Sequence, residues 1–152
     1  MRNWASLMGF IALTAAAGFI GSRFLPGDWY AALAKPSFNP PNSVFAPVWS
    51  TLYLLMAIAA WRVWRLPATG SAIGLWITQL VLNAAWSWLF FGRHLIGAAL
   101  IDIVGLLALI SVTTAMFFRR DRTAGWLMTP YVAWVAFASV LNAALWQLNP
   151  GG

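Results

Sequence analysis

Four stretches of this chain, residues 3–22, 36–61, 66–92 and 123–152, contain no charged side chain, and a fifth, residues 94–118, is interrupted only by Asp102. About 20 residues of apolar helix cross the hydrocarbon of a bilayer, where an unpaired charge is expensive. Each run is long enough to span. Charged residues make up 8% of the 152, and mean hydropathy is +0.77, against roughly 25% charged residues in a soluble domain. The runs therefore predict an all-α integral membrane protein with five transmembrane helices, at roughly 3–24, 44–65, 71–91, 95–118 and 124–148. One membrane domain fills residues 1–152, leaving no room for a soluble one.

The net charge of +6 does not imply nucleic acid, because the nine basic residues cap the ends of apolar runs. They mark topology. Arg2, Arg62, Arg65, Arg119, Arg120 and Arg122 fall on one side, Arg23, Lys35 and Arg93 on the other. The positive-inside rule makes the first side, with the N-terminus, cytoplasmic. Cysteine is absent, which removes disulfide frameworks and thiolate metal sites. Arg2 and the small-residue segment "TAAAG" have something of a cleavable signal, but a single Arg makes a weak n-region, so the run is read as a retained helix.

The one long connection is the first loop, residues 25–43, and loops of that length are usually functional or disordered. Order is expected here. "DWYAAL" reads as a short amphipathic turn with Asp28 as N-cap and Trp29 at the water interface. Pro36, Pro40 and Pro41 then stiffen "KPSFNPPN" into a strap, with Asn42 or Ser43 able to cap the next helix.

Because lipid gives aliphatic side chains no preference for the bundle interior, polar and small residues are the informative ones. Gln79, Asn83 and Trp86 share one face of the third helix, Trp49 and Tyr53 one face of the second. On the fifth, Pro130, Trp134, Ala138 and Asn142 recur every four residues, with Ala138 beside Trp134 forming a notch. Aromatic rings mixed with a few amides and hydroxyls are what a largely apolar pocket requires. Trp4, Trp29, Trp64, Trp126 and Trp146 lie near predicted helix ends and read as interface anchors. Thr14, Gly18 and Ser22 read as a helix contact. Asp102 is the only acid within a span, a functional candidate unless it snorkels. Neither His94 nor any cluster reads as a metal site, and no HExxH, P-loop, nucleophile elbow or dinucleotide fingerprint occurs.

Taken in order, "GSRF", "WYAALAKPSFNPPNSVFAPVWSTLYLLM", "QLVLNAAWSWLFFG", "ALIDI" and "PYVAWVAFASVLN" resemble the translocator protein family, also called tryptophan-rich sensory proteins or peripheral benzodiazepine receptors. The resemblance covers nearly the whole chain and is that of a bacterial-type member. It implies a five-helix bundle, usually a homodimer, that binds protoporphyrin IX and haem and, in some members, cholesterol and benzodiazepine-type drugs. The pocket it implies lies beneath the first loop, with no cofactor required. Trp49 of "PVW" and Trp134 of "PYVAW" match the pair set against the macrocycle and implicated in porphyrin breakdown, while Asn83 and Ala138 match further pocket positions.

The candidate ligand-binding set is therefore Trp49, Tyr53, Asn83, Trp86, Trp134, Ala138 and Phe38, with Arg23 and Lys35 at the mouth for propionates. Trp49 and Trp134 are also the candidate catalytic pair if porphyrin is degraded. Phe38 stands where the family commonly has tryptophan. "LNAALWQLNP" lacks the tyrosine and basic residue of the animal cholesterol motif, so high-affinity sterol binding is not expected. Transport of porphyrin or lipid is the alternative function, with Asp102, Gln79 and Asn83 as a polar path, but five helices give no inverted repeat.

Overall fold

The computed structural model describes residues 2–23 and 27–150. Phe24 of "GSRF" and the first two residues of the expected lid loop, Leu25 and Pro26, lie outside the described residues, as do the side chains of Ser22 and Asn42. The elements are α1 (Arg2–Ser22), α2 (Gly27–Ala32), α3 (Asn42–Trp64), α4 (Gly70–Ser87), a π-helical turn (Trp88–Gly92), α5 (Ile96–Arg120) and α6 (Arg122–Leu148). Among the described residues five helices, with α4 and the π turn counted as one, are long and apolar enough to cross a membrane. This is an all-helical, multi-pass membrane bundle with a structured first loop.

Several local details differ from the sequence expectation for physical reasons. Pro41, extended at ψ 149°, occupies the position before α3 and supplies no side-chain cap, so the helix begins at Asn42. Gly27 adopts the left-handed φ of 59° and opens α2 itself, leaving Asp28 in the first turn rather than ahead of it. The third span is not a uniform helix to its end. Arg93 N–H bonds the Trp88 carbonyl at 2.8 Å and Leu95 N–H bonds the Leu89 carbonyl at 2.8 Å, wider loops than α-helical spacing allows. His94 leaves that turn at a φ of 58°.

Neighbour relations close into a ring, α1 against α3, α3 against α6, α6 against α5, α5 against α4, and α4 back against α1. Without a hydrophobic driving force between spans, close packing holds such a ring together. Ala57, Ala59 and Ala60 of α3 are fully buried and let it sit close to its neighbours. Trp76, Leu106, Ile110, Met128 and Val135 fill the same core from α4, α5 and α6. Outward residues such as Ile101, 77% exposed, face the lipid. At the arginine-rich end, Arg62 of α3 pairs with Asp121 at 2.7 Å, and Arg120 donates to the Pro67 carbonyl. Asp121 also accepts from Thr123 N–H at 3.1 Å and so caps α6.

A second, smaller core lies at the opposite end. Tyr30 of α2 is buried with Phe90, Ile96, Ala99, Leu141 and Leu145, and Trp29 and Leu33 pack against it. The π turn is what supplies the seat, presenting Phe90 and Phe91 to α2, with Phe91 5.5 Å edge-on to Tyr30 and Phe90 5.6 Å edge-on to Trp29. The loop is thus docked on the bundle.

Candidate functional site

A chain of hydrogen bonds crosses the bundle interior. Tyr53 of α3 donates to Asn83 Oδ1 at 2.7 Å, Asn83 Nδ2 donates to Tyr131 Oη at 2.9 Å, and Tyr131 donates to Gln79 Oε1 at 2.6 Å. Gln79 Nε2 ends the chain on the Met56 sulfur at 3.8 Å. Polar groups in a membrane interior must find partners inside the protein, so α3, α4 and α6 are tied together here. Gly18 of α1 faces the Tyr53 ring closely, and a Cβ there would sit 3.1 Å from it. Nearby Thr14 is buried and spends its hydroxyl on the Ile11 carbonyl of its own helix.

Immediately beside this chain the aromatic stripes converge. Trp49 lies 5.6 Å from Tyr53, 6.3 Å from Tyr131 and 6.5 Å from Trp134, the last with ring planes at 90°. Phe45 adds an edge contact to Trp134 at 6.1 Å, and Phe137 lies 5.5 Å from it. Ala138 packs against the same core as a small neighbour. The Trp134 Nε1 is buried without a hydrogen-bond partner. Like the Trp76 Nε1, which is also buried unpartnered, it is a donor left without an acceptor in the protein.

Of the remaining sequence candidates, Phe38 reaches the cluster indirectly. It is 46% exposed on the strap and meets Phe137 edge-on at 6.2 Å, so the rings run Phe38, Phe137, Trp134. Trp86 sits at the junction of the two cores. Its Nε1 donates to Asn142 Oδ1 at 2.9 Å and its ring stacks on Phe90 at 5.0 Å, in the core beneath α2. Asn142 Nδ2 in turn donates to the Ile96 carbonyl at 3.1 Å, so this amide braces α4, α5 and α6. Lys35 folds back on the loop, donating to the Ala31 and Leu33 carbonyls at 3.2 Å each and lying 4.8 Å over the Tyr30 ring. Arg23, exposed after α1, lies 5.8 Å from the Phe19 ring.

Two residues that matter were not singled out from sequence. Tyr131, fully buried, is the hub of the polar chain; its only signal was a position three residues before Trp134 on the same helix. Asn149 binds the loop, described below. Asp102, treated as a possible part of a polar path, keeps Oδ2 buried without a partner. A separate groove of about 320 Å³ runs between α3 and α6, along Pro47, Val48, Thr51, Leu52, Leu55 and Pro130. Exposed Pro47, Thr51 and Pro130 put it on the lipid side of that seam.

Residues 10–147 match the TspO/MBR family. The chain is 39% identical to a translocator protein from Homo sapiens, over 97% of this chain and 92% of that one. It is 42% identical to a tryptophan-rich protein TspO from Chlorobaculum tepidum, over 92% and 93% of the two chains. Protein CrtK from Rhodobacter capsulatus is 40% identical over 93% of this chain and 91% of its own.

Proposed function

The chain belongs to the TspO/MBR family, and on that premise we propose that it binds tetrapyrroles, protoporphyrin IX or haem, and other flat lipophilic molecules between α3 and α6 beneath the strap. The observation that carries the reading is the perpendicular contact of Trp49 and Trp134, 6.5 Å apart, over a saturated polar floor. A macrocycle face can take the place of one indole against the other. Indole faces suit such a surface, and exchanging ring for ring keeps the dispersion energy while burying the ligand's apolar area. The unpartnered Trp134 N–H, beside Trp49, offers a bond to a pyrrole nitrogen or carbonyl on the ligand.

Orientation of the ligand follows from charge. Propionates point toward the strap end, where Arg23 is the freer cation, Lys35 being held by loop carbonyls. The arginine-rich end, with Arg62, Arg65, Arg119, Arg120 and Arg122, faces the cytoplasm in this reading, and the strap faces away from it. A homodimer is the assembly that goes with it. The test is a titration of protoporphyrin IX into purified protein, followed by its absorption band, for the wild type, Trp49→Ala and Trp134→Ala. Saturable binding lost in the variants supports the site; saturable binding retained in both rejects it.

A further inference from the structure

Asn149, the residue immediately after α6, holds the loop by both faces of its amide. Its Oδ1 accepts from Ala34 N–H at 2.9 Å and its Nδ2 donates to the Ala34 carbonyl at 2.8 Å, across 115 residues of chain. The side chain thereby imitates a strand partner, satisfying both backbone groups of a residue that has neither helix nor sheet around it. The same Nδ2 also reaches the Leu145 carbonyl at 2.9 Å, which fixes the amide on the last turn of α6. Ala34 is a significant place to hold. Before it, α2 is seated by Trp29, Tyr30 and Leu33 in the small core; after it, residues 36–41 lead to α3 and set Phe38 against Phe137, the neighbour of Trp134.

We propose that Asn149 is the latch of the strap, a positioning residue that holds Ala34 at the pivot and so sets how fast a ligand enters and leaves the site beneath. This rests on the ligand-binding reading above. The strap's other fastenings support a pivot at Ala34. Asn39 N–H bonds the Pro36 carbonyl at 3.1 Å, so residues 36–39 form a stiff unit, which Tyr30 Oη ties to α2 by a longer bond to Asn39 Oδ1 at 3.2 Å. Phe38 is carried on that unit, and through Phe137 it abuts Trp134. A stiff arm running into α3 at one end is held at the other by the two exposed Asn149 bonds and the longer Tyr30–Asn39 bond, so losing the Asn149 pair loosens it. Each such bond shifts an equilibrium roughly two- to tenfold, so their combined loss raises the open population on the order of tenfold.

The experiment uses full-length protein in lipid nanodiscs and exploits the absence of native cysteine. Stopped-flow quenching of tryptophan emission by protoporphyrin IX gives association and dissociation rates. Asn149→Leu should raise both about tenfold with little change in their ratio. The double variant A34C/N149C, oxidised to a disulfide, should slow both, and reduction should restore them. Rates unchanged in N149L and indifferent to oxidation state in the double variant overturn the latch. Hydrogen exchange of residues 33–39 provides a readout independent of ligand. Faster exchange there in N149L, with residues 130–142 of α6 unchanged, separates a released strap from a frayed helix. If protoporphyrin IX fails to saturate even the wild type, the binding site falls, while unchanged exchange at 33–39 in N149L is what would remove the latch.

Discussion

The Tyr131 hydroxyl stands between Asn83 and Gln79, accepting from one at 2.9 Å and donating to the other at 2.6 Å. With Tyr53 on the far side of Asn83, four side chains from three helices form one polar chain under the indoles of Trp49 and Trp134. Fully satisfied buried networks fix a unique arrangement, whereas half-satisfied ones destabilise. The floor of the site is therefore also a structural keystone.

Removing the hub should cost more than removing an end. Tyr131→Phe strands the Asn83 donor and the Gln79 acceptor, and is expected to lower stability by about 1–2 kcal/mol. Tyr53→Phe frees only Asn83 Oδ1 and should cost less than about 1 kcal/mol. Thermal unfolding of both variants in one detergent checks the order. Equal losses would show that the chain is not coupled.

Gly18 is tested by size. A methyl at Gly18 meets the Tyr53 ring at 3.1 Å, a distance the ring can relieve by a small shift; a leucine cannot be accommodated that way. Gly18→Ala should be nearly neutral in stability. Gly18→Leu should displace Tyr53 from Asn83 and cost about 2 kcal/mol, as overpacking commonly does. Unfolding midpoints that match for the two variants would contradict the packing assignment.

Asn142 should behave as a brace. Its replacement by alanine leaves the Trp86 N–H without its partner, whereas the Ile96 carbonyl keeps its place in the α5 ladder, a loss of about 1–2 kcal/mol. The same variant should increase hydrogen exchange in the small core under α2. Unaltered exchange at residues 86–99 would argue that water or a neighbour replaces the amide.

The arginine-rich end carries a pH dependence. Partial burial pushes the Asp121 carboxyl upward, but the Arg62 guanidinium and the N–H groups of Thr123 and Ala124 outweigh it and hold the carboxyl below its usual range. A folded-state value below the unfolded one means that the stabilisation is complete above the unfolded carboxylate range, near 4, and is lost as pH falls through the folded value. With side chains 36% and 18% exposed, the pair is worth about 1 kcal/mol or less. Unfolding of wild type and Asp121→Asn should therefore differ at pH 7 and converge in acid. A difference that does not shrink as pH falls below the ordinary carboxylate range would contradict the assignment.

Much of this was legible in the chain because a bilayer imposes simple rules. Charge-free runs of the right length can only be spans, and the arginines mark where they end. Within spans, four-residue spacing was enough to place Trp49 with Tyr53 and Trp134 with Ala138 on inward faces. What escaped depends on contacts between distant segments. Asn149 bonds a backbone 115 residues away, and nothing in "LNAALWQLNP" announces that partner. Trp86 follows the spacing of Gln79 and Asn83 but lies a turn higher, where Phe90 and Asn142 engage it. The π turn had no marker either, since "WLFFG" reads as ordinary helix until Leu95 N–H is seen to bond the Leu89 carbonyl.

The most direct measurement is a double-mutant cycle on porphyrin affinity, with Trp49→Phe, Trp134→Phe and the double variant titrated with protoporphyrin IX in nanodiscs. If the two indoles hold one macrocycle, each single variant weakens binding several-fold, and their effects are non-additive because the rings share a ligand and each other. Full wild-type affinity in the double variant, or strictly additive small losses, would place the porphyrin away from this pair.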